Sequence, residues 1–319
     1  MKSVIVAATL GALAVSAHPA PEAEARGPSL SDSTILNFAL TLEHLEDAFY
    51  KLGLSRFNQR SFDNAGLPAG AREQFVQISQ HESEHVAFLT GLLGSKATKP
   101  CTYKFPINDP KSFSSLSQVF ENVGVGAYTG ATKSLSHQYI TGSASILGTE
   151  ARQAALVAAY VNGVEGWGNA FNVIRPFLFL IAIVTNHLQL QQIPLTLSQA
   201  YSLAAPFIVK CPSSNPKLPV TVFPTLTIPS SANPGDTVPV TFKSNVGRGK
   251  QLFAVFLFGL GQEVVPIRNG RVIIPKNLAG QVYALISTSS SGVTDRTTVA
   301  GPALLQFEFD LEGRYIPNS

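Results

Sequence analysis

The chain has 319 residues, 45% hydrophobic and 13% charged, with a formal net charge of +3. That length exceeds one typical domain and predicts two. So small a net charge gives no pull toward nucleic acid or an anionic membrane surface.

Residues Met1 to Ala17 combine Lys2, an uncharged apolar run from Val4 to Val15 and the small residues Ser16 and Ala17. This is the pattern of a secretory signal cut before His18, and it is too short to span a membrane. Residues 18–30, rich in Pro, Ala and Glu, read as a flexible leader. The mature protein is therefore expected to be secreted, extracellular or attached to a cell wall. In that setting Cys101 and Cys211 are expected to form one disulfide, worth up to about 4–5 kcal/mol in the chain-entropy model.

A first helix is predicted from Ser31-Asp32-Ser33, which are N-cap residue types, to Gly53. Its apolar stripe is Ile35, Phe38, Leu42, Leu45, Phe49 and Leu52, and Ala39, Glu43, Glu46 and Tyr50 lie beside it. Residues 57–68 read as a loop. A second helix, from Ala69 to Leu93, carries Gln80-His81-Glu82-Ser83-Glu84-His85. Its core stripe is Phe75, Ile78, Glu82, His85, Leu89 and Leu92, so a carboxylate and an imidazole stand where apolar residues belong. Burying them costs several kcal/mol unless they are paired or bound to metal. Two chemistries use this spacing. His81-Glu82-x-x-His85 is that of a zinc metalloprotease helix, with the glutamate as general base. Glu82-x-x-His85 is that of a di-metal centre inside a four-helix bundle.

After a polar connection through Cys101 and Pro110, a third helix starts near Ser112 and carries Glu121, with Gly124 and Tyr128 on the same face. A fourth follows Gly142, with the seam Ile146, Glu150, Gln153, Val157, Tyr160 and Val164. The four helices read as one pair repeated. Glu43 and Tyr50 are seven apart in the first helix, as are Glu121 and Tyr128 in the third. Each is followed by a helix bearing a seam glutamate and a polar residue three positions on: Glu82 and His85, then Glu150 and Gln153. A zinc protease has no reason to repeat in this way; a di-metal bundle does, because each helix pair supplies ligands.

The stretches Leu42-Glu-His-Leu-Glu-Asp-Ala-Phe-Tyr50, His81-Glu-Ser-Glu-His85, Glu121-Asn-Val-Gly-Val-Gly-Ala-Tyr128 and Ile146-Leu-Gly-Thr-Glu-Ala-Arg-Gln153 resemble the ferritin-like domain of secreted fungal stress-response and desiccation-related proteins. Cys101-Thr-Tyr-Lys-Phe-Pro106 and Ala205-Pro-Phe-Ile-Val-Lys-Cys-Pro212 extend the resemblance across roughly residues 31 to 212. It implies metal ligands at Glu43, Glu82, His85, Glu121 and Glu150, with one or two ions of iron or manganese and no organic cofactor. Gln153 departs from the histidine the family pattern expects, and glutamine is a neutral, weaker ligand. Glu46 shares a face with Glu43 and competes with it as the first-helix ligand. Tyr50 and Tyr128 read as hydrogen-bond partners of ligands.

Other residues draw structural readings. His44, His137 and His187 lack companion ligands at helical spacing and read as surface or loop histidines. Trp167 reads as a packing anchor, the apolar run from Phe177 to Val184 as a cover on the bundle, and 197–209 as a fifth short helix. Residues 212–219 form a linker. Beyond it, short β-like runs at 220–228, 237–243, 252–258, 271–274, 281–287 and 304–309, separated by turn residues, predict an immunoglobulin-like or fibronectin-like β-sandwich over 220–319. Packing on the bundle, cell-wall attachment and self-association are its candidate roles.

The sequence thus predicts an exported, mainly α ferritin-like bundle over 31–211 with a carboxylate–histidine metal site and a second, all-β domain. A non-catalytic structural or wall-associated protein with a degenerate site is the alternative, and the zinc protease is third.

Overall fold

A computed structural model describes residues 30–319 apart from 133, 167–194, 245, 247–248 and 259–260. The readings at residues 1–29, Trp167, Phe177 to Val184 and His187 fall outside the described residues.

Four long helices build the first domain: α1 (Asp32–Arg56), α3 (Ala71–Leu93), α4 (Pro110–Thr132) and α5 (His137–Leu156). The α1 start is set by Ser31, whose side chain accepts from the Thr34 backbone N–H and so satisfies one of the helix's unpaired donors. Leu42, Leu45, Phe49, Phe75, Ile78, Phe113 and Phe120 meet in one apolar core. Aromatic rings dominate one end of it, with Phe49 packed at centroid distances of 4.8–5.3 Å on Tyr50, Phe105, Phe113 and Phe120.

Several expectations are corrected. The predicted loop between the first two helices contains a short helix, α2 (Gln59–Asn64), capped by Asn58 and anchored by the buried Phe62. The fourth helix begins at His137, five residues before Gly142, and passes after Leu156 into π-helical turns over Val157–Asn162. The wider turn changes which residue faces inward: Val161 is buried and Tyr160 is exposed, its hydroxyl bonded to the Ala69 carbonyl. At the end of α3 the buried residue is Leu93, whereas Leu92 is exposed. His44 is not on the surface: the connection after α3 crosses over it, and its Nε2 lies 3.1 Å from the Thr98 carbonyl. Burial lowers its pKa. His137 is exposed, as expected.

The predicted fifth helix ends earlier than expected, as α6 (Leu197–Ala204). A 3-10 turn then leads into β2 (Ile208–Lys210), which pairs antiparallel with β1 (Thr102–Tyr103). That pairing brings Cys101 and Cys211 together as a disulfide joining residues 110 apart in sequence.

The second domain is rich in antiparallel strands. Its main sheet has the order β10 (Thr298–Phe307), β9 (Gly280–Ser287), β6 (Phe253–Phe258), β7 (Gly261–Pro266). Two two-stranded pairs accompany it: β3 (Leu226–Thr227) with β5 (Thr241–Phe242), and β4 (Thr237–Pro239) with β8 (Arg271–Ile273). Where the sequence predicts two full sheets facing each other, the described residues thus form one four-stranded sheet and two short pairs. Strand β7 was not expected, because Gly-Gln-Glu-Val-Val-Pro carries no alternation. Strand β10 starts six residues before the predicted 304, running through Gly301-Pro302 by a register shift between Ala300 and Ala303. Proline is tolerated there because β10 is an edge strand.

Side-chain alternation explains how the domains meet. Ala254, Phe256, Val282, Ala284 and Ile286 face a core shared with Leu226, Val238, Val240 and Val272. The intervening Val255, Leu257 and Leu285 join the core of the helical domain. The sheet is therefore buried on both faces, and Tyr283 Oη reaches the Asn122 carbonyl of α4.

Candidate metal centre

The predicted ligands converge inside the bundle. Glu43 on α1, Glu82 and His85 on α3, and Glu150 on α5 each offer a ligand atom, and these atoms all lie within 4.8 Å of one another. Helical spacing makes this possible: Glu82 and His85 stand one turn apart on one face, as do Glu150 and Gln153. Three carboxylates aim at one imidazole atom. His85 Nδ1 is 3.1 Å from Glu43 Oε2, 3.3 Å from Glu82 Oε2 and 3.5 Å from Glu150 Oε1.

Glu121 on α4 stands beside this group of four, in charge contact with Glu82 and Glu43. Gln153 does not duplicate His85. Its Nε2 donates to Glu82 Oε1 at 2.6 Å, while its own Oε1 has no partner. Both Glu43 and Glu46 are buried at the centre, so the choice between them is not exclusive; Glu43 belongs to the tight group. The two tyrosines act crosswise. Tyr128 Oη on α4 donates to Glu43 Oε1 on α1, and Tyr50 Oη on α1 donates to Glu121 Oε1 on α4 while lying 2.6 Å from Ser117 Oγ. The sequence repeat is thus a spatial one, with each pair's tyrosine serving the other pair's glutamate.

The electrostatics are those of crowded acids out of water. Burial, with repulsion from Glu43, Glu82 and Glu121, pushes the Glu46 carboxyl well above the ordinary range. Burial does the same to Glu121 and Glu150, each also repelled by Glu82. Glu82 is raised by burial to about 7, although the bond to His85 opposes the rise. For His85 burial acts downward, but the bonds to Glu43 and Glu82 outweigh it and lift the imidazole to about 10. A protonated His85 thus does for three carboxylates what a cation would do.

The residues fit a metal ion on a further observation. Among the described residues Glu121 Oε2, both oxygens of Glu150 and Gln153 Oε1 are buried without a hydrogen-bond partner, although His85 Nδ1 stands 3.5 Å from Glu150 Oε1. Buried polar groups are rarely left so unless something else binds them. His81 takes no part: it is exposed on α3 and is not among the ligand atoms that converge around His85. The zinc protease reading, which needs both His81 and His85 on one ion, gains no support from this arrangement.

Residues 31–163 match the family of ferritin-like domains. All the converging side chains lie within that ferritin-like segment. The chain is also similar to Protein rds1 of Schizosaccharomyces pombe, at 29% identity over 199 residues, covering 61% of this chain and 44% of that protein. The chain thus spans less than half the length of this curated relative.

What sequence reasoning missed is which group the small residue at Gly124 makes room for. A β-carbon there would collide with Glu150 Oε2 and stand 3.5 Å from Glu46 Oε1. Its position three residues after Glu121 was the available signal.

Proposed function

We propose that the protein is an exported ferritin-like protein whose bundle holds iron or manganese on Glu43, Glu82, His85, Glu121, Glu150 and Gln153. The observation that carries this reading is the set of buried oxygens, on Glu121, Glu150 and Gln153, that have no hydrogen-bond donor among the described residues. A divalent cation relieves all of them together, along with the repulsion among the carboxylates. Many carboxylate oxygens with one imidazole suit iron or manganese better than a soft-ligand metal. When bound, such ions supply redox chemistry toward dioxygen or peroxide. Tyr128 and Tyr50 hold Glu43 and Glu121 in place. A role in stress or desiccation response rests on the sequence resemblance, and export rests on the character of residues 1–17.

The test is metal binding by variants of the full chain. Replacing His85→Ala together with Glu82→Gln should abolish tight binding of Fe2+ or Mn2+, and His81→Ala should leave it intact. Loss of binding in His81→Ala would overturn the assignment.

A second reading is favoured by one contact, the Gln153 amide donating to Glu82 and so occupying a lone pair that a metal would use. On that reading the bundle is structural and its degenerate centre binds an ion without turnover. Consumption of peroxide or dioxygen by the iron-loaded protein separates the two.

A further inference from the structure

The internal repeat is broken at two matched places. Glu82 and Glu150 correspond, as do Glu43 and Glu121, but His85 corresponds to Gln153 and Glu46 to Gly124. The second half of the centre therefore lacks an imidazole, and the first half has an additional carboxylate. These breaks meet in space. The room left by Gly124 on α4 is where Glu150 Oε2 lies, and Glu46 Oε1, reaching across from α1, is 3.5 Å from the point a β-carbon of residue 124 would occupy. Glu46 is thus directed at the Glu150 side of the centre, the side that Gln153 leaves without nitrogen. The same side holds the atoms that have no hydrogen-bond partner among the described residues: Glu121 Oε2, Glu150 Oε1 and Oε2, and Gln153 Oε1, in side chains at most 4% exposed.

We propose that the centre has two chemically unequal metal positions: one served by His85 with Glu43 and Glu82, and one served by oxygen alone, from Glu46, Glu121 and Glu150 with the Gln153 carbonyl. Glu150 lies between them. This rests on the metal-centre reading and deepens it. Glu46 restores, as negative charge, the donor lost at Gln153. An oxygen-only position favours a hard divalent cation of the manganese class, whereas the imidazole at the other position raises affinity for zinc, cobalt or iron. The protein is accordingly built for two different metals.

Manganese titration of the metal-free full chain tests this, with bound ion counted by calorimetry and by loss of the free-ion electron paramagnetic resonance signal, followed by zinc competition. Wild type should bind two Mn2+, of which Zn2+ readily displaces one. Glu46→Gln, nearly the same shape, should bind one Mn2+, or bind the second at least about tenfold more weakly. Gln153→His should still bind two but allow Zn2+ to displace both. The proposal is overturned if Glu46→Gln binds a second Mn2+ as tightly as wild type, if wild type binds only one ion, or if Zn2+ displaces both ions equally from wild type. Should Glu46→Gln fail to fold, an unchanged zinc-to-manganese preference in Gln153→His would overturn it alone. No binding by wild type at all is a different result and removes the metal-centre reading itself.

Discussion

At position 150 a buried carboxylate with no hydrogen-bond partner among the described residues, its Oε1 3.5 Å from His85 Nδ1, lies against the α4 backbone, in space that only glycine at 124 provides. Such a group costs stability in the metal-free protein. Glu150→Gln should therefore raise the stability of the metal-free protein by on the order of 1–3 kcal/mol while weakening metal binding. Thermal midpoints with and without Mn2+ check both signs; a destabilised metal-free variant would contradict the account. The same residues set the pH dependence. Glu46, Glu121 and Glu150 are raised by burial, Glu82 by burial to about 7, and His85 by its carboxylate partners to about 10. Each raised group makes the folded state hold more protons than the unfolded state. The contribution of these groups to the stability of the metal-free protein is then fullest below the ordinary carboxylate value and declines as pH rises toward about 7 and beyond. A bound cation takes the place of those protons, so the rise in melting temperature on adding Mn2+ should grow between pH 5 and pH 7. A constant or shrinking rise would contradict this. Glu43, Glu82, His85 and Glu150 were legible because helical spacing and the repeat point to one face. The choice between Glu43 and Glu46 was not, since residues three apart on one helix share that face. His44 was misread because a connection from more than fifty positions away buries it, and nothing local records that.

At the scale of elements, helix boundaries followed from capping chemistry where a cap is present, as at Ser31. The π-helical turns after Leu156 have no comparable local signal and shift the buried seam to Val161. Helix α1 is buried beyond the expected stripe and its carboxylate edge, because Asn37 and His44 are buried as well as Glu43 and Glu46. A contact between α1 and α4 yields a prediction in which two effects oppose each other. Gly53 lies within a helix, so Gly53→Ala should gain about 1 kcal/mol of helix propensity. The added methyl, however, would stand within 2.8 Å of the Phe113 ring. Phe113 is fully buried among other aromatic rings and has no room to yield. Overpacking of this kind costs about 1–3 kcal/mol. The net expectation is a lower denaturation midpoint, and a stabilised variant would show that the ring can move.

At the scale of the molecule, the strand-rich domain was legible as β from its alternating runs and turn residues. Its packing was not, because each strand has two apolar faces and the sequence does not say which one meets the helices. With Val255, Leu257 and Leu285 in the helical core, the two domains share apolar surface. Leu257→Ala should lower the unfolding midpoint by about 2–5 kcal/mol of stability and keep helix loss and near-ultraviolet tertiary loss coincident. Two separate transitions would show the domains to be independent. The central claim, that the bundle is a metal centre, is met most directly by elemental analysis of the purified full-length protein after anaerobic loading with iron and manganese and removal of loose ions. About two ions per chain is the predicted result; a protein that stays metal-free after loading would contradict the account.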